Sequence, residues 1–574
     1  MAALVAASVL LAFFLGYRFY ARWLGRRVFG TEADADGDDT EFVTPAHRLE
    51  DGMDYVPTTK HVLFGHHFTS IAGAAPIIGP CIAAYWGWLP ALLWVVLGAI
   101  FMGAVHDYAA LVASVRERGR TIADLTSTVL SKRAGVMFLC FVLVLSWLVL
   151  AVFAMAIAQL FISTPSSVLP INIEIVVALA IGWLIYKKKV PPLIPSLVAL
   201  ATLYVFVWIG TKAPISFADF GMSKDDEKVT WLLLLFAYSI VASLLPVWTL
   251  LQPRDYINSH QLFVGLALLF GGLFIAAPAF DAPAIRTASD GAPGIFPLLF
   301  VTIACGAISG FHGLVASGTT SKQVDHLRDT RFIGYGAMLG EGCLALAATM
   351  AVVAGLGLLE DKSWMACYHD FGAASKGAIG NFRDGGAALL YAIGIPSELA
   401  TTLMAVLVIS FAATTLDTAT RIERFLVQEL GSALDIVPLK NRFIATLVAV
   451  IPGIVLAMWT VEDPATGTIR EAAWVLWPIF GASNQMLAAL TLLTLSLYFW
   501  RKNKPVWPLA IPMVFIMGIT LTSLLAKTME FYGQKNWLLV GISTVLTTLV
   551  LWMLVEAVAV LKGVSNRGAD DTPR

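Results

Sequence analysis

The chain has 574 residues, 58% of them hydrophobic and only 13% charged, with a mean hydropathy of +0.78. Soluble domains carry about 25% charged residues, so the composition excludes a soluble protein and predicts a polytopic membrane protein. The formal net charge of −1 says little about partners; nothing points to nucleic acid, and the information lies in where the charges fall.

At about 20 apolar residues per span, candidate helices lie near 3–24, 61–86, 88–114, 135–162, 168–186, 191–211, 229–251, 260–279, 295–320, 333–358, 396–420, 441–459, 472–498, 505–526 and 537–561, fifteen in all. No basic region precedes the first, and Arg18, Arg22, Arg26 and Arg27 follow it. That pattern predicts a retained helix with its amino end outside, not a cleaved signal. The acidic stretch TEADADGDDTE (31–41) has its glycine at the fourth position from Asp34, and Pro45 where a calcium loop needs glutamate. It is expected to be a solvated cytoplasmic loop.

Basic residues follow every odd-numbered helix: Arg116–Arg120 the third, Lys187–Lys189 the fifth, Arg254 the seventh, Lys322–Arg331 the ninth, Arg421 and Arg424 the eleventh, Arg501–Lys504 the thirteenth and Lys562 the last. The positive-inside rule then places the N-terminus outside and the C-terminus in the cytoplasm. The region 359–395 is expected to be a long outer loop, RIERFLVQEL an amphipathic extension of the eleventh helix, and 563–574 a disordered tail.

Two apolar segments are poor continuous helices. In GHHFTSIAGAAPIIGP (65–80), Gly73, Pro76, Gly79 and Pro80 add backbone freedom or remove a donor; VTIACGAISGFHG (301–313) is likewise interrupted by glycine. Irregular backbone survives in hydrocarbon only inside protein or beside a polar cavity, so each break is either a kink tolerated by tight packing or part of a binding site. The second helix runs inside to outside and the ninth outside to inside. Such antiparallel breaks are the pattern of an inverted repeat, with the site where they meet. Amino ends of half-helices there suit an anionic group, which makes Gly73, Ala74, Pro76, Gly79, Cys305, Gly306, Ser309 and Gly310 the candidate substrate contacts. Asn484 and Gln485 of the thirteenth helix are expected to bind substrate or to join helices.

Asp107 and Glu341 lie within spans, where a carboxylate carries a proton or pairs with a fixed cation. His106, adjacent to Asp107, is expected to diverge from it on the helix. Glu174 is expected to snorkel and Glu556 to be interfacial. His66, His67 and His312 have no cysteine or histidine at ligand spacing to complete a tetrahedral set, so no metal site is expected. Cys81, Cys140, Cys343 and Cys367 are expected to be small core residues; Cys305 neighbours the second break. No catalytic constellation or Walker A stretch appears, so neither an enzyme nor a primary pump is expected. An integral-membrane enzyme, or a sensor or channel without coupled transport, is the alternative reading.

DGMDYVPTTKHVLFGHHFTSIAGAAPIIGP (51–80) resembles the amino-terminal signature of the carbon starvation protein (CstA) family; FPLLFVTIACGAISGFHGLVASGTTSKQ (296–323) and LWPIFGASNQMLAALTL (476–492) resemble two further signatures. The resemblance implies an inner-membrane transporter importing short peptides, or small carboxylates such as pyruvate, under carbon starvation, driven by sodium or protons and without another cofactor. It implies an all-α LeuT-like fold of five plus five inverted helices: 61–500 the core, 1–60 and 501–562 peripheral. The second, ninth, eleventh and thirteenth helices would be core helices one, six, eight and ten. By that analogy Thr414, Thr415 and Asp417 in ATTLDTATR (413–421) would meet carbonyls near Ala72 and Ala75 around a sodium ion.

Overall fold

A computed structural model describes residues 1–32, 42–286, 293–463 and 468–570; most of the acidic loop, 33–41, and the last four residues lie outside them. The helices are α1 (Ala2–Phe29), α2 (Lys60–Ile71), α3 (Ala75–Ala83), α4 (Trp88–Arg116), α5 (Ile122–Val129), α6 (Lys132–Ser163), α7 (Pro165–Lys187), α8 (Leu193–Lys212), α9 (Lys224–Leu244), α10 (Leu251–Ala276), α11 (Ile295–Thr302), α12 (Gly310–Gly318) and α13 (Leu327–Leu358). They continue with α14 (Phe371–Tyr391), α15 (Ser397–Ala433), α16 (Arg442–Met458), α17 (Ala472–Arg501), α18 (Trp507–Gly533) and α19 (Trp537–Asp570). One hairpin pairs Thr460–Asp463 antiparallel with Thr468–Glu471.

Among the described residues, 12 helices are long and apolar enough to span a bilayer, and α2 with α3 makes a thirteenth, bent by 48°. The protein is therefore a multi-pass membrane protein. The segments expected at 295–320 and 441–459 hold helices too short to meet that test alone: α11 and α12 are separated by seven unwound residues, and α16 has 17 residues. α13, α15 and α17 are the most enclosed spans, whereas α1 and α19 expose Leu4, Phe14, Leu551 and Val555. Those side chains suit a lipid-facing perimeter.

Three sequence expectations change. The region 359–395 is not a loop throughout, because α14 occupies most of it. Its low hydropathy hid it, although the Asp370 carboxylate caps its start by accepting from the Ala373 amide at 2.7 Å. Small residues seat it: a Cβ on Gly355 of α13 would lie 2.5 Å from the Gly385 carbonyl oxygen, a close backbone approach of the kind small residues permit. Lys362 and Arg383 both pair with Asp384, at 2.5 and 2.8 Å. α9 ends at Leu244 and α10 begins at Leu251, so Arg254 lies inside a span, not in a cytoplasmic loop. Finally, α19 continues to Asp570, through most of the expected tail.

The broken helices occupy the centre. α2 packs on α12 and α3 on α11, so the first half of each break lies beside the second half of the other, and the two run antiparallel. A Cβ on Gly79 would stand 2.5 Å from the Thr302 carbonyl oxygen and 3.3 Å from the Ile303 Cα. The contact is backbone against backbone, and no rotamer change relieves it. Gly79→Val is therefore expected to destabilise the protein by about 1–3 kcal/mol, read as a lower thermal unfolding midpoint in detergent; an unchanged midpoint would mean that the two half-helices are not packed in this way.

Candidate functional site

Each break has a local cause and a local repair. α2 stops at Ile71; Ala72 takes φ −77° and ψ 53°, and α3 restarts with Pro76 in its first turn, where the missing donor costs nothing. In the second break Gly306 has φ +89°, a left-handed conformation that glycine adopts without a Cβ penalty. A Cβ there would lie 2.8 Å from the Ala345 Cβ and 3.6 Å from that of Pro76, so the two interruptions lie side by side.

Side chains take up the freed backbone groups of the second break. Gln485 Nε2 donates to the Phe300 carbonyl at 2.6 Å and Trp94 Nε1 to that of Ile303 at 3.1 Å. The Gly306 amide donates to Glu341 Oε1 at 3.1 Å, and the Phe311 amide to Asn484 Oδ1 at 3.0 Å. Asn484 Nδ2 also donates to Ser309 Oγ at 2.9 Å and lies 3.4 Å from Cys305 Sγ. Asn484 thus caps α12 from a neighbouring helix, and Gln485 caps the end of α11. No side chain caps the first turn of α3.

At the first break, Thr415 Oγ1 donates to the Ser70 carbonyl and Thr414 Oγ1 to that of Thr69, both at 3.2 Å; Thr414 also reaches its own helix at Phe411, at 3.0 Å. Ser70 and Thr418 hydroxyls lie 3.1 Å apart. The hydroxyl pair faces α2 as the fold analogy requires, but it engages the carbonyls of Thr69 and Ser70, in the last turn of the helix, in place of those of Ala72 and Ala75. Gly73 closes the contact: a Cβ there would fall 2.8 Å from Thr415 Oγ1.

Two buried ionic clusters flank these breaks. In one, His312 Nδ1 of α12 lies 3.0 Å from Asp107 Oδ2 of α4, and His312 Nε2 lies 3.1 Å from Glu341 Oε2 of α13. His106 Nδ1 is 2.8 Å from Asp107 Oδ1, so these neighbours converge, contrary to expectation. Gly313 makes room for the imidazole, since a Cβ there would lie 3.0 Å from His106 Cε1. Cys305 joins His312 and Glu341, the three offering donor atoms within 4.8 Å of one another, a proximity that spacing along the chain does not register.

In the other cluster Arg254 of α10 donates to Glu174 at 3.0 Å, to Asp417 at 2.7 Å and to the Tyr238 hydroxyl at 2.6 Å. Asp417 Oδ2 is thus bound to an arginine and to the Tyr238 hydroxyl. Glu174 is buried, not snorkelling. His66 Nδ1 lies 2.5 Å from Asp255 Oδ2, and His67 Nδ1 2.9 Å from Thr320 Oγ1. Sequence reasoning missed Arg254, Tyr238 and Asp255, although an arginine-aspartate pair beside an apolar run was a signal once the span was drawn to include it.

The sequence matches the profile of the family described as "Carbon starvation protein CstA" over residues 1–368 and 365–523. It is 33% identical to the peptide transporter CstA of Mycobacterium tuberculosis, over 89% of this chain and 73% of that one. With the pyruvate/proton symporter BtsT of Escherichia coli it shares 31% identity, over 93% and 82%. Among solved structures, a manganese transporter from Eremococcus coleocola aligns with TM-score 0.50 and 13% identity, covering 89% of this chain and 99% of that one; that likeness concerns the fold alone.

Removing one partner from a buried ion cluster leaves charge without compensation, at a cost of about 3–5 kcal/mol. Arg254→Gln is expected to lower the thermal midpoint accordingly. Combining it with Glu174→Gln and Asp417→Asn should recover most of the loss. A triple variant as unstable as the single one would show that the arginine acts through packing, not charge.

Proposed function

Because the chain belongs to the carbon starvation protein CstA family, we propose that it is a secondary active transporter that imports short peptides or small carboxylates such as pyruvate across the inner membrane, coupled to a cation gradient. The observation that carries this reading is the meeting of two interrupted, antiparallel helices beside buried protonatable groups. In this reading the fold is the LeuT-like five-plus-five inverted repeat, with about fifteen spans once α11–α12 and α16 are counted, the N-terminus outside and the C-terminus in the cytoplasm.

The substrate carboxylate meets the first turn of α3 near Gly73, Ala74 and Pro76, where no side chain caps the helix and its dipole favours negative charge. Across the gap, Asn484 and Glu341 already occupy amides of the second break; Cys305, Ser309 and Gly310 line that side. Side-chain contacts tie elements together at both ends of the bundle. At one, Arg421 donates to Asp54 at 2.8 Å and Gln252 to Gln323 at 2.5 Å; at the other, Arg286 lies over Tyr85 and donates to the Tyr368 carbonyl at 2.6 Å. Alternating access opens one tie at a time around the central site.

For coupling, a histidine held between two carboxylates offers a proton acceptor shielded from water, which supports proton coupling through Asp107, His312 and Glu341. A second reading, sodium coupling, rests on the Thr414 and Thr415 hydroxyls beside two helix carbonyls, oxygens that a hard cation takes as ligands.

Uptake of radiolabelled pyruvate and dipeptides into proteoliposomes separates the readings. With proton coupling, uptake follows an imposed pH gradient, ignores sodium, and loses that dependence in Asp107→Asn and Glu341→Gln. With sodium coupling, Thr414→Val and Thr415→Val raise the sodium concentration for half-maximal uptake. Gly73→Leu abolishes uptake in either case while the protein still inserts. Uptake indifferent to both gradients would rule out the coupled carrier.

A further inference from the structure

We propose that Cys305, His312 and Glu341 form a binding site for a transition-metal dication of the Zn2+ type, an inference that goes beyond the transport reading and does not need it. Three segments supply the donors: the unwound stretch of the second break, α12 and α13. Their ligating atoms lie within 4.8 Å of one another, and all three residues are buried. A tetrahedral ion with bonds of about 2.0–2.3 Å spaces its donors about 3.5 Å apart, so binding changes each donor separation by at most about 1.3 Å, and His312 and Glu341, at 3.1 Å, move slightly apart.

The arrangement around the donors is that of a metal site. His312 directs Nδ1 to the Asp107 carboxylate at 3.0 Å, which fixes the ring and leaves Nε2 facing the cluster. Metal-ligating histidines are oriented by just such an outer carboxylate. Glu341 is held through Oε1 by the Gly306 amide, which leaves Oε2 directed at His312. His312 Nε2 and Glu341 Oε2 lie 3.1 Å apart, yet neither has a hydrogen-bond partner of acceptable geometry among the described residues. The pair is an ion pair only when the ring is protonated; with a neutral ring both buried atoms lack a hydrogen bond, which is expensive, and a shared cation satisfies both at once.

The chemistry of the set selects the ion. Imidazole nitrogen, thiolate sulfur and a single carboxylate oxygen suit Zn2+, Co2+ and their neighbours; sodium, magnesium and calcium prefer all-oxygen shells. Three protein ligands leave a fourth tetrahedral position for an exogenous oxygen. A bound ion would clamp the unwound stretch to α12 and α13.

The test uses the full chain in detergent, stripped of metal and titrated with Co2+ and then Zn2+. The site predicts one equivalent of Co2+, a thiolate-to-cobalt charge-transfer absorption, its loss when Zn2+ displaces the cobalt, and a thermal midpoint that rises with Zn2+ concentration. Cys305→Ser should lose the charge-transfer band, and Asp107→Asn, which removes only the outer group, should weaken binding about 10–100-fold. Cys140→Ser, on an exposed cysteine of α6, should bind as the parent does. Folded, monodisperse parent protein that takes up no stoichiometric Co2+, or a band that survives Cys305→Ser, overturns the proposal. If Cys305→Ser does not fold, the Asp107→Asn affinity and the Zn2+-dependent midpoint decide alone. None of these readouts depends on transport, so failure of uptake and failure of the metal site are separately visible.

Discussion

In hydrocarbon, an amide or carbonyl without a partner costs several kcal/mol, and this one constraint organises the centre of the molecule. Two helices are interrupted in mid-course, and most of the groups freed there are served from elsewhere, the first turn of α3 being left without a side-chain cap. The remedy is side chains from flanking helices: Trp94, Gln485, Asn484 and Glu341 at the second break, Thr414 and Thr415 at the first. Glu341 of α13, Thr414 and Thr415 of α15, and Asn484 and Gln485 of α17 are therefore substitutes for helical hydrogen bonds, placed where the chain stops being helical.

The same arithmetic governs charge. Both buried clusters consist of cations or potential cations set against carboxylates, because an isolated charge in such surroundings is prohibitive. They differ in kind. Arg254 stays charged and binds Glu174 and Asp417 into a fixed knot between α10, α7 and α15. His312 can change its proton count or take up a ligand, and it stands at the second break itself. The adaptable cluster is thus the one placed where chemistry is possible.

Close packing supplies the geometry. Gly73, Gly79, Gly306 and Gly313 each admit a neighbour that a Cβ would displace: a threonine hydroxyl, a carbonyl, Ala345 and an imidazole respectively. The glycines that weaken the helices also let the other elements approach closely enough to repair them.

Composition and the spacing of apolar runs determined by themselves that this is a many-helix membrane protein, since about 20 apolar residues in a row have few other uses. Glycine and proline determined where two of those helices break, because their effect on the backbone is local. The signatures around both breaks carried the family. The partners were decided only by the tertiary structure. Arg254 meets Asp417 from 163 residues away, and His312 meets Asp107 from 205; no sequence window contains such pairs. α14 escaped notice because its seat depends on close backbone approach at Gly355 of α13 and Gly385, and hydropathy does not register that contact. The cluster of Cys305, His312 and Glu341 follows the same logic: ligand spacing along the chain is meaningful only where one helix or loop holds all the donors, and here an unwound stretch and two helices bring them together.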